Sequence, residues 1–165
     1  MQFEVDDKMS YLGMNITIGV QGTTVDMTFY VRQLLEGEQV VEYGSPGTKS
    51  MFIVKLSKAL LEDERKWCHS KTAKLLYLAK HARPDKLTTV IFLCTRVQEA
   101  TEEDKSKLQR VLGYLKQTQD HTLMLQAHGH TSTVTAYVDA AYAIQDDSKS
   151  HSGVVIYMGC TLVYV

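Results

Sequence analysis

The sequence has few cysteines and no excess of basic residues, and these two shortages exclude several classes of protein. Its three cysteines, Cys68, Cys94 and Cys160, are far apart and odd in number, which argues against a disulfide framework or a CxxC-type zinc site. We therefore expect reduced, buried thiols in an intracellular protein, cytoplasmic or nuclear. Because the formal net charge is -1, overall charge gives no support for nucleic-acid binding, which would have to depend on local patches.

Long apolar runs are also missing. No stretch approaches the roughly 18 residues that a membrane span needs, and the opening residues MQFEVDDKMS lack the apolar segment of a signal peptide. The sequence therefore predicts no contact with a membrane. Its 165 residues are enough for one globular domain or two small ones, each with a core.

What is present divides the chain into three stretches. Residues 1–56 predict a β-hairpin around a turn at Gly19 to Gly22, a short amphipathic helix and an irregular loop. Residues 57–120 show the helical period, and residues 121–165 show four short alternating segments typical of strands. Hairpin, helices and then an antiparallel meander make the predicted class α+β.

The helical stretch contains its own boundary signals. A first helix must end before Pro84, because proline disfavours helical geometry in the residue before it. A second helix is expected to begin at Pro84, because proline suits the first turn of a helix. Thr101 and Asp104 predict a capping box at the start of a third. The predicted apolar faces are Leu61, Cys68, Thr72, Leu75, Leu76 and Ala79, then Leu87, Val90, Ile91 and Cys94, then Leu108, Val111, Leu112 and Leu115.

Four blocks follow one another along nearly the whole chain: YLGMNI, LLYLAKHARPDKLTTVIFL, KLQRVLGYLKQTQDHTLML and AYVDAAYAIQDDSKSHSGVVIYMG. In order and spacing they resemble FLGIEI, LLYLA…TRPD, RVLRYLKGT and SDADWAGD…DRKSTSGYVF of copia-type LTR retrotransposon Pol polyproteins. The resemblance implies the end of a reverse transcriptase, with a primer-grip-like hairpin and a helical thumb or connection. It implies next a truncated antiparallel RNase H-like β-meander.

The resemblance makes Asp139 the first RNase H carboxylate, one of a set that holds two Mg²⁺ ions. The other acids of that set would come later, so we expect an incomplete metal site, no bound Mg²⁺ and no catalysis by this chain alone. Read without the resemblance, Asp139 ends a strand and accepts turn amides. The sequence departs from the family block at Ala141, Tyr142 and Ser148.

Two further groups of side chains invite a catalytic or metal interpretation. The family's aromatic-x-Asp-Asp hairpin would precede the first block, but Glu4 stands at the aromatic position before Asp6 and Asp7. We interpret this pair as a solvated acidic turn. His128 and His130 could share one strand face as metal ligands, although no third ligand is evident.

The resemblance also implies nucleic-acid contacts. Tyr11, Leu12 and Gly13 would touch the primer backbone, although by themselves they are an ordinary strand. A phosphate-tracking helix face is one interpretation of the basic residues of the third helix, and the solvated side of an amphipathic helix is the other. These residues are Lys105, Lys107, Arg110 and Lys116.

Two hypotheses follow. The chain is a fragment of a reverse transcriptase/RNase H polyprotein that is silent in catalysis, or a non-enzymatic module. As a module, it would bind an RNA·DNA hybrid or primer–template duplex, or associate with itself through the open sheet edge at residues 161–165.

Overall fold

The structure is a computed structural model that describes residues 7–126, 133–141 and 151–165, without the side chains of Ala141 and His151. The described chain divides into two compact units. One takes in the described residues among 1–9, 16–25 and 124–165, and the other comprises 10–15 and 26–123. This division differs from the three stretches predicted from the sequence.

A four-stranded sheet contains the predicted hairpin. Its strands lie in the order β1-β2-β3-β4, with the bounds Lys8–Tyr11, Met14–Gly19, Gly22–Asp26 and Leu123–Leu125. The hairpin of β2 and β3 is confirmed, and β1 is a strand that alternation did not reveal. The last strand, β4, was predicted as the first of a C-terminal meander, but it pairs with β3.

Helix α1, Thr28–Leu35, follows β3 directly. Asp26 Oδ1 accepts a hydrogen bond of 2.7 Å from the Thr28 amide, which satisfies one unpaired donor of the first turn. Gly37, with a φ of +75°, ends the turn after the helix. Residues 38–56, all of them described, contain turns but no helix or strand, so the predicted loop is confirmed.

Three helices and two short 3₁₀ turns make up the predicted helical stretch. In chain order they are α2 (Glu62–His81), the 3₁₀ turn Pro84–Lys86, α3 (Leu87–Arg96), the 3₁₀ turn Val97–Glu99 and α4 (Glu102–Gln117). The end of α2 before Pro84 is confirmed, but Pro84 opens a 3₁₀ turn and not the helix itself. The capping box is also confirmed, since Thr101 and Asp104 each bond the other's amide, at 3.4 and 3.0 Å.

The core of the second unit lies among these helices. The predicted stripe of α4 is confirmed, because Leu108, Val111, Leu112 and Leu115 are fully buried. The face predicted for α2 is partly wrong, because the structure buries Leu78, half-buries Leu76 and leaves Leu61, which precedes the helix, exposed. On α3 the predicted face is partly wrong, because Phe92 and Leu93 are buried whereas Ile91 is exposed and Cys94 is half-buried.

A second sheet holds the strands β5 (Val134–Ala141), β6 (His151–Met158) and β7 (Thr161–Tyr164), in that order. Both strand pairs are antiparallel, as predicted, and Asp139 lies opposite Gly153. The mixture of helices with antiparallel sheets is compatible with the predicted α+β class. Its interpretation as a thumb followed by RNase H strands stays a prediction.

The prediction of three buried thiols is correct for Cys68, which is buried, and wrong for Cys160, which is exposed. Burial raises the pKa of the Cys68 thiol to about 11, so this group is an unreactive part of the core. Among the described residues, no helix combines the length and the apolar character that crossing a membrane requires.

Candidate nucleic-acid interface

The turn between β1 and β2 is the most exposed of the predicted contact sites. β1 ends at Tyr11 and β2 begins at Met14, so Leu12 and Gly13 alone connect the two strands. Their φ angles are +48° and +81°, the left-handed pair that characterises a type I′ hairpin turn. Tyr11 and Leu12 are 61% and 63% exposed. The turn therefore presents an aromatic ring, an aliphatic side chain and a glycine backbone to solvent.

Leu12 is an unusual residue for this conformation. Left-handed geometry brings Cβ close to the following carbonyl oxygen and costs roughly 1–2 kcal/mol for most residues other than glycine. Among the described residues, every other positive φ belongs to a glycine. Residues held in such conformations concentrate at functional sites, where surrounding contacts compensate for the strain.

Two tyrosines supply those compensating contacts. The Tyr77 hydroxyl, on α2, donates a hydrogen bond of 2.6 Å to the carbonyl oxygen of Leu12. The Tyr30 ring, on α1, lies close enough to Gly13 that a Cβ there would be 3.6 Å from it. The two rings also contact each other, with centroids 5.6 Å apart. Burial, and secondarily the neighbouring Tyr77, raises the pKa of Tyr30.

The basic residues predicted on α4 have partners within the chain. Lys105 Nζ lies 2.6 Å from Glu64 Oε1, and that hydrogen bond raises the pKa of Lys105. Lys107 is 9% exposed, and its Nζ donates a bond of 2.6 Å to the Ile53 carbonyl. It also lies 5.1 Å from the centroid of the Phe92 ring.

Residues 38–56 cover the rest of this helix face. The Arg110 guanidinium stacks 4.4 Å from the centroid of the Tyr43 ring, and Lys116 Nζ lies 3.5 Å from the Val40 carbonyl oxygen. Between them, Gly113 leaves the space that this segment occupies, because a Cβ there would overlap the carbonyl oxygen of Val41. We call residues 38–56 the strap. The phosphate-contact role of the four basic residues stays a prediction, and it would require Lys107 and Arg110 to leave their present partners.

Asp139 lies near the end of β5, exposed and on the same strand face as Tyr137. The Tyr137 ring meets the Tyr157 ring of β6 edge to face, with centroids 6.0 Å apart. Opposite Asp139 stands Gly153, which contributes no side chain. The structure thus places the predicted first carboxylate on a polar, aromatic face of an antiparallel sheet.

The described residues do not fit a magnesium pair. Across residues 7–126, 133–141 and 151–165, no group of three or more His, Cys, Asp or Glu side chains could hold a metal ion. His128, His130, Asp146 and Asp147 lie outside the described residues. Since two-metal hydrolysis requires several clustered carboxylates, we derive no catalytic step from Asp139.

A charged cluster in the RPDK string, residues 83–86, was not predicted from the sequence; its Arg83 and Lys86 are buried and its Asp85 is exposed. Arg83 donates bonds of 3.0 and 2.8 Å to the two oxygens of Asp85, and its other nitrogen donates to the Thr118 carbonyl at 2.7 Å. Tyr114 also donates to Asp85, at 2.9 Å. The cluster ties the residues after α2 to the end of α4. The available signal was the RPD of the second family block.

Both Asp85 and Lys86 have lowered pKa values in this cluster. Burial opposes ionisation of Asp85, but hydrogen bonds from Arg83 and the charge of Lys86 prevail and lower its pKa to about 2. Lys86 is fully buried, and its Nζ lies 3.6 Å from Asp85 Oδ1. Burial and the charge of Arg83 lower the pKa of Lys86 to about 7. The cluster therefore holds a lysine that loses its proton near neutral pH.

Comparisons with known proteins give three relatives, all from Arabidopsis thaliana. The retrovirus-related Pol polyproteins from transposons RE1 and RE2 are each 38% identical to this chain over 86 residues. That stretch is 52% of the chain but 6% of each polyprotein. An uncharacterised mitochondrial protein is 27% identical over 156 residues, 93% of this chain and 64% of that protein.

No protein-family model matches the sequence, and no solved structure matches the chain. The relatives nevertheless confirm the resemblance that the four sequence blocks indicated. The chain is a relative of retrotransposon Pol polyproteins.

Proposed function

We propose that the chain is a retrotransposon-derived nucleic-acid module. It corresponds to the part of Pol where reverse transcriptase passes into RNase H, and it binds an RNA·DNA hybrid or primer–template duplex without catalysing a reaction itself. The observation that carries the proposal is the exposed Tyr11-Leu12-Gly13 turn, with its left-handed pair of residues. Its intracellular site of action, cytoplasm or nucleus, stays a prediction.

The chemistry of this turn suits contact with a sugar–phosphate backbone. Protein contacts to that backbone come largely from side-chain donors and backbone amides, and they fix position without reading sequence. At Gly13 no side chain stands between the main chain and a ligand, and the exposed Tyr11 adds a hydroxyl donor and a flat ring. Sequence-independent contact is the property that a polymerase needs, because its template varies.

A salt series tests the proposal. The full chain would be titrated with an RNA·DNA hybrid and, as control, with double-stranded DNA, from low to high salt. We expect the chain to bind the hybrid more tightly than double-stranded DNA. The logarithm of the binding constant should fall linearly with the logarithm of the salt concentration, since each neutralised phosphate releases counterions. Tyr11→Ala removes an exposed side chain and should weaken binding while the protein remains folded. No binding of either duplex at low salt would refute the proposal.

Enzymatic activity is tested separately. If Asp139 acts with the rest of an RNase H site, Mg²⁺ should promote cleavage of the hybrid, and Asp139→Asn should abolish that cleavage. We expect no cleavage that depends on Asp139, because one carboxylate cannot organise two metal ions. Mg²⁺-dependent hydrolysis that disappears in Asp139→Asn would overturn the non-catalytic part of the proposal.

Self-association is a second candidate function, favoured by one face of the second sheet. Val134, Ala136 and Val138 of β5 line this face opposite the similarly apolar Met158, Ile156 and Val154 of β6. Val138 is 71% exposed, so an apolar surface of this kind favours association. Light scattering should show oligomers that Val138→Lys reduces. A monomer at high concentration would exclude this candidate.

A further inference from the structure

We propose that Tyr77 is the positioning residue of the Tyr11-Leu12-Gly13 turn, holding the turn in the left-handed shape that a duplex backbone contacts. This inference rests on the proposed function for its ligand. It adds a residue of the second family block, LLYLA, to a site formed by the first block, YLG. Tyr77 need not touch the duplex, because its action is through the Leu12 carbonyl.

The contact between the two blocks is direct. The Tyr77 hydroxyl donates to the Leu12 carbonyl oxygen over 2.6 Å, a short bond between residues 65 positions apart in the chain. The Tyr77 ring contacts two other rings, with Tyr30 5.6 Å away and His81 4.3 Å away, centroid to centroid. These neighbours restrict the tyrosine ring, so the hydroxyl is held where the turn needs it.

The helix that carries Tyr77 is anchored in the core. α2 has 20 residues, and two leucines close to Tyr77 in the sequence, Leu75 and Leu78, are completely buried. A donor on such an element keeps its position more accurately than one on a loop. In contrast, Leu12 is exposed and has no preference of its own for a positive φ.

The hydrogen bond and the strain of the turn are comparable in size. Losing a single hydrogen bond changes an equilibrium constant by about three- to tenfold, which is of the order of the bias against left-handed geometry at a leucine. The Tyr77 hydroxyl therefore determines how often the turn is in its left-handed form. A ligand that binds that form loses affinity in proportion to its population.

The experiment compares Tyr77→Phe with Tyr114→Phe in the full chain. Each change removes one hydroxyl and keeps the ring, but the Tyr114 hydroxyl donates to Asp85, at 2.9 Å, and not to the turn. Two quantities are measured: affinity for the RNA·DNA hybrid at low salt, and the NMR amide–Hα coupling and amide exchange of Leu12 and Gly13. Urea unfolding of all variants shows whether global stability differs.

We expect Tyr77→Phe to weaken hybrid binding about three- to tenfold and to shift the Leu12 coupling, while Tyr114→Phe changes neither. Adding Leu12→Asn should restore the turn signals in the Tyr77→Phe background, because asparagine adopts left-handed geometry more readily. A purely structural loss would not be rescued in this way.

The remaining outcomes separate this inference from the proposed function. If the unaltered chain binds no duplex, the proposed function fails, and with it the ligand named here. If the unaltered chain binds and Tyr77→Phe binds equally well, the inference is wrong although the function stands. If Tyr77→Phe leaves the Leu12 and Gly13 signals unchanged, the positioning role is wrong whatever the affinity.

Discussion

Replacing Gly113 by alanine tests the seating of the strap on α4. In an exposed helix interior this change stabilises a protein, because glycine is about 1 kcal/mol less favourable than alanine. At Gly113 the new methyl group would overlap the Val41 carbonyl and lie 2.8 Å from the Tyr43 ring. The Val41 carbonyl belongs to the backbone and cannot move aside as the end of a flexible side chain can. The strap itself therefore has to move away from α4.

The magnitude follows from what the strap loses. Overpacking costs about 1–3 kcal/mol, and displacement weakens the bonds of Lys107 to Ile53 and of Lys116 to Val40, each about 1 kcal/mol. These losses exceed the propensity gain of about 1 kcal/mol. Taken together, these terms predict that Gly113→Ala lowers the free energy of unfolding by about 2–4 kcal/mol.

Urea unfolding followed by circular dichroism measures this difference. Gln109 is exposed on the same helix, so comparing Gln109→Ala with Gln109→Gly calibrates the propensity term in this context. We expect alanine to be the more stable of that pair by about 1 kcal/mol. If Gly113→Ala is also stabilising by a similar amount, residues 38–56 do not pack against α4 at Gly113.

Three further changes have expected results. Lys86→Met should raise stability at pH 7. Above its native pKa of about 7, the unfolded state binds more protons at this lysine than the native state. The unaltered chain should therefore gain stability between about pH 7 and 8.5, before unfolded thiols ionise. Urea titrations should show a smaller gain in Lys86→Met, and an unchanged gain would contradict the assignment. Thr101→Ala removes the capping box and should cost about 1 kcal/mol in thermal unfolding, whereas Ser106→Ala, in the exposed first turns of the same helix, should cost less. Leu12→Asn should stabilise the chain by up to about 1 kcal/mol, and a clear loss on chemical unfolding would show that the leucine side chain itself supports the turn.

Local signals in the sequence predicted local structure well. Pro84 disfavours helical geometry in the residue before it through a local steric clash, and the Thr101–Asp104 box satisfies amides within one turn. The α4 stripe was clear because Leu108, Val111, Leu112 and Leu115 recur at the helical period. The run LTTVIFLC of α3 is apolar on several sides, so periodicity alone could not determine which residues face the core.

Long-range partners were beyond the same reasoning. Nothing in the sequence LML of β4 indicates that it pairs with β3 and not with the strands that follow it. The basic residues of α4 resembled a solvated or phosphate-binding face because the strap that covers them has no periodic pattern. At the candidate site, the Tyr11-Leu12-Gly13 turn was identified by its family block, but the contact with Tyr77 joins residues 65 positions apart and is visible only in three dimensions.

The pairing of β4 with β3 has a consequence for synthesis on the ribosome. Roughly 100 residues (27–122) separate the two strands, and a chain grows by about 5–20 residues per second. The edge of β3 therefore emerges several seconds before its partner strand exists. During that interval the nascent hairpin exposes unpaired amides and carbonyls to other chains. Slowing translation beyond residue 26 should lengthen this exposure and increase aggregation, an effect that chaperones binding extended segments would counteract.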